Sequence, residues 1–265
     1  MKTCIVCNIS GPNASNYLET YSNSLRHNAS VVSNDVSLVY TNGTPKSQPK
    51  SIVDRELVEG FSYLSKFYAL KDCIEAMHPD YIIWLDASCR IHNGFIEKAK
   101  DIMDKHGVLL LQLNSKGGEW WCTDRFMKCI GEDRNTYTQP VLLTGVFGFK
   151  PSHPMGQLFY SALNEKAGIP DMWFGTKGIP FIWDVQGTEC LSLDPRVKGH
   201  RQDQSVIEHI TKKLNLDTHN NIEQPIFYSQ NYIQEKWLKD PSRSDYYFPS
   251  DALVTHHPPE THFTK

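Results

Sequence analysis

Two apolar runs, YIIWL at 81–85 and VLLLQL at 108–113, constrain this chain more than any other feature. A strand with one wet face alternates apolar and polar residues, whereas a strand covered on both faces reads as a continuous apolar run. Both runs are of the second kind, and a helix is predicted between them over roughly 95–105. The arrangement demands a sheet with helices on each side.

The first half repeats that alternation. KTCIVCNIS is a short apolar run closed by the turn GPN, and YLETYSNSLRH has helical length behind the plausible caps Asn13 and Ser15. VSLVYTN is a second strand, with Asn42-Gly43 as its turn, and the polar 44–58 stretch with Pro45 and Pro49 is expected to be a mobile loop. In FSYLSKFYALKDCIEAMH, Leu64, Phe67, Leu70, Ile74 and Met77 form one helical stripe, with Lys66 beside it. The second half is richer in aromatics, with the run PVLLTGVFGFK and a helix in HRQDQSVIEHITKKL that carries Val206, Ile207, Ile210 and Leu214 on one side. Ser205 and Glu208 make an S-x-x-E capping box that would leave Asp203 just outside this helix. No linker or repeat divides the chain. The expectation is one α/β domain over 1–265 with a mixed, mainly parallel sheet, residues 1–114 forming one half and 115–265 the other.

Composition narrows the class. The 27 basic residues are scattered and the net charge is −3, which gives no footprint for nucleic acid and points to a small ligand. No run approaches the roughly 18–20 apolar residues of a membrane span, and the apolar stretch in MKTCIVCNIS is shorter than a signal-peptide core. The seven cysteines are odd in number and dispersed at 4, 7, 73, 89, 122, 129 and 190, which suits a soluble protein of a reducing cytoplasm. Cys4 and Cys7 form a C-x-x-C with no second pair, so they are read as small hydrophobes on a buried strand rather than half a zinc site.

Asp86 ends the buried run and is followed by Ser88, Arg90 and His92. In open α/β sheets ligands bind beyond the carboxyl ends of the strands, where this residue stands. A carboxylate there suits a hard divalent cation facing a diphosphate; the plainer reading is an Asp capping the next turn.

KFYALKDCIEAMHPDYIIWLDASCRIH resembles the central block of GT-A-type glycosyltransferases, a lysine-bearing helix and a buried strand leading into a D-x-D-like element. CIVCNISGPN is similar to the strand and loop that hold the nucleotide, LLTGVFGFK to the strand near the donor sugar, and GHRQDQSVIEHI to the H-R-x-D-Q-S block of small transferase families, viral ones included. The resemblance implies a transferase that moves a sugar from a nucleoside diphosphate, UDP rather than GDP, to a glycan hydroxyl, with an infected host cell as one setting. It places Ser10, Lys66, Asp86, Ser88, Arg90 and Gly145 at the donor. It implies Mn2+ or Mg2+ held by Asp86 and a late histidine, taken as His256 rather than His257 because it is nearer the apolar Leu253–Val254 pair. Ser88 stands where the family has a second aspartate, and Lys66, Arg90 or Lys265 offers a metal-free way to neutralise phosphate. Asp203 is the expected general base of an inverting reaction, or an acceptor-orienting group in a retaining one. Trp120, Trp121, Trp183, Asp184, His200 and Arg201 are expected at the acceptor, with Glu189 beside them. Two rivals stand: a sugar nucleotidyltransferase, against which SGPNAS lacks a Gly-rich basic loop, and a non-catalytic carbohydrate-binding protein.

Overall fold

The computed structural model describes residues 1–10, 18–59, 62–174, 199–221, 226–229 and 253–256, with 192, 194, 196 and 197 between them. The caps Asn13 and Ser15 lie outside these residues, as do Trp183, Asp184, Glu189, His257 and Lys265.

Strand β1 (Thr3–Ile9) leads to α1 (Leu18–Val31) and β2 (Val36–Asn42); α2 (Lys50–Glu59) and α3 (Leu64–Met77) precede β3 (Tyr81–Leu85). Then come β4 (Cys89–Ile91), α4 (Phe95–His106), β5 (Val108–Asn114), α5 (Asp124–Ile130), β6 (Val141–Phe149) and α6 (Pro154–Ala167). After these stand α7 (Asp203–Lys213), β7 (His219–Asn220), β8 (Phe227–Ser229) and β9 (Val254–His256). The main sheet has the order β2-β1-β3-β6-β5-β7. Neighbours run parallel except where β6 lies antiparallel between β3 and β5, so the sheet is mixed and mainly parallel, as expected.

Period-two geometry sorts the apolar runs into two cores. Cys4, Val6, Ile82, Trp84, Val108, Leu110, Phe147 and Phe149 face α3, α6 and α7; Ile5, Tyr81, Ile83, Leu85, Leu109, Leu111 and Val146 face α4 and β4. Trp84 and Phe147 are cross-strand partners with stacked rings. Cys4 and Cys7 are buried in β1, as small hydrophobes would be.

The loop expected over 44–58 is corrected by α2. Its ten residues bury Ile52 and carry the i,i+4 pairs Lys50–Asp54 and Arg55–Glu59. Arg55 also lies 4.3 Å from the Phe174 ring centre and pairs with Asp171. The prolines misled because Pro45 and Pro49 precede the helix, where they cost it no hydrogen bond.

One consequence of antiparallel β6 is positional. Its Leu85↔Val146 register lays Thr144 and Gly145 beside the carboxyl end of β3, and the Gly145 carbonyl accepts the Asp86 N–H at 2.8 Å. The fit needs Gly148, whose added Cβ would stand 2.7 Å from the Ile82 carbonyl oxygen. Gly148→Ala is expected to lower stability by about 1–3 kcal/mol by overpacking, to be read as a fall in urea midpoint with an unchanged slope.

Candidate functional site

Lys66, in the first turn of α3, is only 7% exposed. Its Nζ lies 2.8 Å from Asp86 Oδ1 and 2.8 Å from Asp203 Oδ2, and reaches the Thr144 carbonyl at 3.4 Å. The Trp84 and Tyr63 rings are each centred 5.3 Å from the ammonium. The lysine expected beside the apolar stripe is therefore buried between two carboxylates that sequence separates by more than a hundred residues. Four elements deliver the cluster: α3 brings Lys66, β3 ends on Asp86, β6 passes with Thr144, and α7 opens with Asp203.

The electrostatics follow from burial. Burial alone would drive off the Lys66 proton, but Asp203 and Asp86 together outweigh it and hold the ammonium above its ordinary range. For Asp203 the balance is reversed. Burial pushes its carboxyl up, and the ammonium of Lys66 with the Thr144 hydroxyl offsets only part of the rise. Asp86 is less enclosed, with its side chain 33% exposed, and its Oδ1 also accepts the Trp84 indole N–H at 2.7 Å. Two helix entrances here use left-handed backbone without glycine: Tyr63 (φ 57) precedes α3 and Gln202 (φ 40) precedes α7, a strain of the kind that gathers at functional sites.

The remaining donor-side residues cluster nearby. Ser10, just past β1, donates to or accepts from Ser65 Oγ at 2.8 Å, which ties the end of β1 to the start of α3. Ser88 is buried in the turn closed by Cys89 N–H to Asp86 carbonyl at 2.8 Å, and Arg90 follows on β4, half-buried. β4 pairs antiparallel with β9 so that Cys89 faces His256, which brings the late histidine's backbone beside the Asp86–Ser88 turn. Among the described residues no three His, Cys, Asp or Glu side chains group as a metal site. The donor types nevertheless fit a hard cation, since Asp86 brings a partly exposed carboxylate and a hydroxyl and a histidine-bearing strand adjoin it.

Sequence reasoning missed Asn8. It is nine-tenths buried at the carboxyl end of β1, its Oδ1 accepts the Thr41 hydroxyl at 2.7 Å, and its Nδ2 has no partner among the described residues. A buried amide donor left open beside a strand end points to a ligand acceptor, and no spacing in the sequence could have marked it.

The acceptor-side residues fall out differently. The Arg201 guanidinium stacks on Trp121 at 3.8 Å and that of Arg196 on Trp120 at 4.5 Å, so each half-buried indole has one face covered by a cation. His200 is buried against Phe126, and burial drops its imidazole to about 3, so its ring is neutral there. Trp183 and Asp184 lie outside the described residues.

The expected capping box is also corrected. α7 begins at Asp203, which lies inside its first turn; Ser205 Oγ donates to the Trp121 carbonyl at 2.9 Å. Glu208 turns inward, where it accepts the Leu142 N–H at 2.9 Å, the Gln204 amide at 2.8 Å and the Gln139 amide at 3.1 Å. A cap bonds outward to free N–H groups, whereas this carboxyl found better partners in the core.

No protein-family model matches the sequence, and no curated protein sequence does. Among solved structures, a glycosyltransferase involved in the glycosylation of the major capsid of PBCV-1 is similar over 97% of this chain and 92% of its own, at 12% identity and a TM-score of 0.42. Mouse xyloside xylosyltransferase 1 is similar over 97% of both chains, at 9% identity and a TM-score of 0.47. The galactosyltransferase LgtC, in complex with donor and acceptor sugar analogs, is similar over 96% of this chain and 86% of its own, at 10% identity and a TM-score of 0.41.

Removing the central cation should expose the cost of the pair. Lys66→Met leaves two facing carboxylates and is expected to destabilise by about 3 kcal/mol at neutral pH, the low end for a broken buried pair because Asp86 is partly solvated. Without the ammonium, Asp203 holds its proton more tightly folded than unfolded, so the variant's stability falls further as pH rises above the ordinary carboxylate range. Urea midpoints at pH 5 and pH 8 check this, and a deficit no larger at pH 8 would sink it.

Glu208 has a pH signature of the same sign. Burial pushes its carboxyl up from 4.5 to about 8, against the Gln204, Leu142 and Gln139 donors. A carboxyl raised on folding favours the folded state while protonated, and that contribution is lost as pH climbs from 4.5 to about 8. Glu208→Gln does not titrate, so its urea midpoint relative to wild type is expected to rise steadily across that window.

Proposed function

We propose that the chain is a glycosyltransferase that moves a sugar from a nucleoside-diphosphate sugar to a hydroxyl of a glycan acceptor. The observation that carries this reading is the Lys66 bridge between Asp86 and Asp203 at the carboxyl end of β3. It sets a half-exposed carboxylate suited to a diphosphate-bound cation beside a buried carboxylate of raised proton affinity. A base must hold a proton near working pH to be effective, and Asp203, lifted by burial, moves toward that range.

In this reading the donor lies across the ends of β1 and β3. Asn8 offers its buried Nδ2 to a carbonyl of the base, which suits uracil, and Ser10 and Gly145 line the approach. Asp86, with Ser88 and His256, would hold Mn2+ or Mg2+, and when bound that ion supplies charge stabilisation for the departing diphosphate. Lys66 and Arg90 add positive charge on the same side. Asp203 accepts the proton of the attacking acceptor hydroxyl as the hydroxyl oxygen forms its bond to the anomeric carbon and the bond to the diphosphate breaks, with inversion. Lys66 keeps its proton throughout and offsets the negative charge of both carboxylates. Trp120 and Trp121 present apolar indole surface to sugar C–H groups, with Arg201, Trp183 and Asp184 completing the acceptor side. No helix among the described residues is long and apolar enough to cross a membrane.

Calorimetric titration of UDP and GDP, with and without Mn2+, tests the donor site. UDP is expected to bind more tightly than GDP, Mn2+ to strengthen it, and Asp86→Ala to weaken it at least tenfold. Asp203→Asn should retain UDP binding yet lose transfer by about 10²-fold or more, followed as UDP release from UDP-sugars. Wild-type protein that binds no nucleotide would overturn the reading in favour of a glycan-binding protein.

A further inference from the structure

The catalytic cluster ends at Lys66, but one buried carboxyl behind it has no role in the reading above. Glu208 is fully shielded from solvent. Its Oε1 accepts two N–H groups together, from Gln204 at 2.8 Å and from Leu142 at 2.9 Å, while Oε2 accepts the Gln139 amide at 3.1 Å. Gly118 presses on the same oxygen, since a Cβ added there would stand 2.5 Å from Glu208 Oε2 and 2.5 Å from the Pro140 carbonyl. Three segments thus converge on one carboxyl: the short helical turn Gly118–Trp121, the lead into β6, and α7.

These are the segments that place Asp203. Gln204 is its chain neighbour. Leu142 stands two residues before Thr144, whose carbonyl meets Lys66 and whose hydroxyl bonds Asp203. A single acceptor oxygen therefore fixes the spacing between the start of α7 and the strand it must meet. We propose that Glu208 is a positioning residue for the transfer reaction, holding Gln204 and Leu142 so that Asp203 and Thr144 close on Lys66.

The role needs an acceptor oxygen rather than a charge. Protonation at Oε2 leaves Oε1 free to accept both N–H groups, and the new O–H can bond the Gln139 carbonyl once that amide turns over. Gln139 Oε1 is buried with no partner among the described residues, so it is free to take that bond. The ionisable neighbours around the carboxyl are Arg201 before α7, Glu119 and Cys122 at the helical turn, and Tyr137 on the way to β6. Those facing Asp203 itself are Lys66 and Asp86.

This inference rests on Asp203 acting in the proposed transfer, so its test is chosen to need no substrate. The protein is labelled at the aspartate side-chain carboxyl carbon, and the Asp203 signal is assigned by its loss in Asp203→Asn. Its titration is then followed by NMR in wild type, Glu208→Leu and Glu208→Gln. Glu208→Leu removes the acceptor oxygen, loosens Asp203 from the ammonium and is expected to raise its titration midpoint by roughly one pH unit. Glu208→Gln keeps an acceptor for Gln204 and Leu142 and should restore the wild-type midpoint. If Glu208→Leu does not fold, Glu208→Asp replaces it, because a carboxyl one methylene shorter cannot span both donors. In an active enzyme the acid limb of the kcat profile should move with the midpoint while KM for the donor changes less than twofold. A folded Glu208→Leu or Glu208→Asp variant with an unmoved Asp203 titration overturns the proposal. Wild-type protein that transfers no sugar from any donor would sink the transferase reading alone, and the carboxyl titration would still decide the role of Glu208.

Discussion

The contact on which the site depends is an ammonium held between two carboxylates. Lys66 is buried where a lone charge would be expelled, and it is tolerated because Asp86 and Asp203 each stand 2.8 Å away. The debt runs both ways, because Asp203 is as deeply buried and would repel Asp86 without the cation between them. Such an arrangement adds little to net stability compared with a packed apolar core. What it does specify is position: the start of α3, the end of β3 and the start of α7 can close only with all three side chains in register.

The architecture behind that contact is polar to an unusual depth. One core packs each face of the sheet, and between the sheet and the amino end of α7 the filling includes amide and carboxyl groups. Glu208, Gln204 and Gln139 form a connected set there, with backbone N–H groups as further donors. Networks of this kind are costly when incomplete and rigid when satisfied. Tyr63 and Gln202 add left-handed backbone at the two helix entrances. Rigid polar support and strained entrances meet at the same cluster, which is how a fold holds charged groups at chosen separations.

Much of the fold was legible because it rests on local pattern. The runs that became β1, β2, β3, β5 and β6 are continuous in sequence, and the α3 stripe marked its buried face at Leu64, Phe67 and Leu70. α2 was not legible, since its prolines looked like loop residues and its partners Asp171 and Phe174 lie over a hundred residues away. Glu208 misled for a related reason. Its spacing from Ser205 is that of a cap, but Leu142 and Gln139 drew it into the core, and neither is close in sequence. His200 lies buried against Phe126, a contact that its neighbours in the sequence do not show.

By itself the sequence determined the layered α/β class, the strand that ends on Asp86 and the helix that carries Val206, Ile207 and Ile210, because alternation and apolar continuity are properties of a few adjacent residues. It also singled out Lys66, beside an apolar stripe and, by resemblance, at the donor. Tertiary structure alone decided that Lys66 joins the two aspartates, that Asn8 leaves an amide open at the end of β1, and that a carboxyl eight residues beyond His200 braces the cluster from behind. Those facts depend on which buried polar group finds which partner, and that is settled by packing across the sheet rather than along the chain.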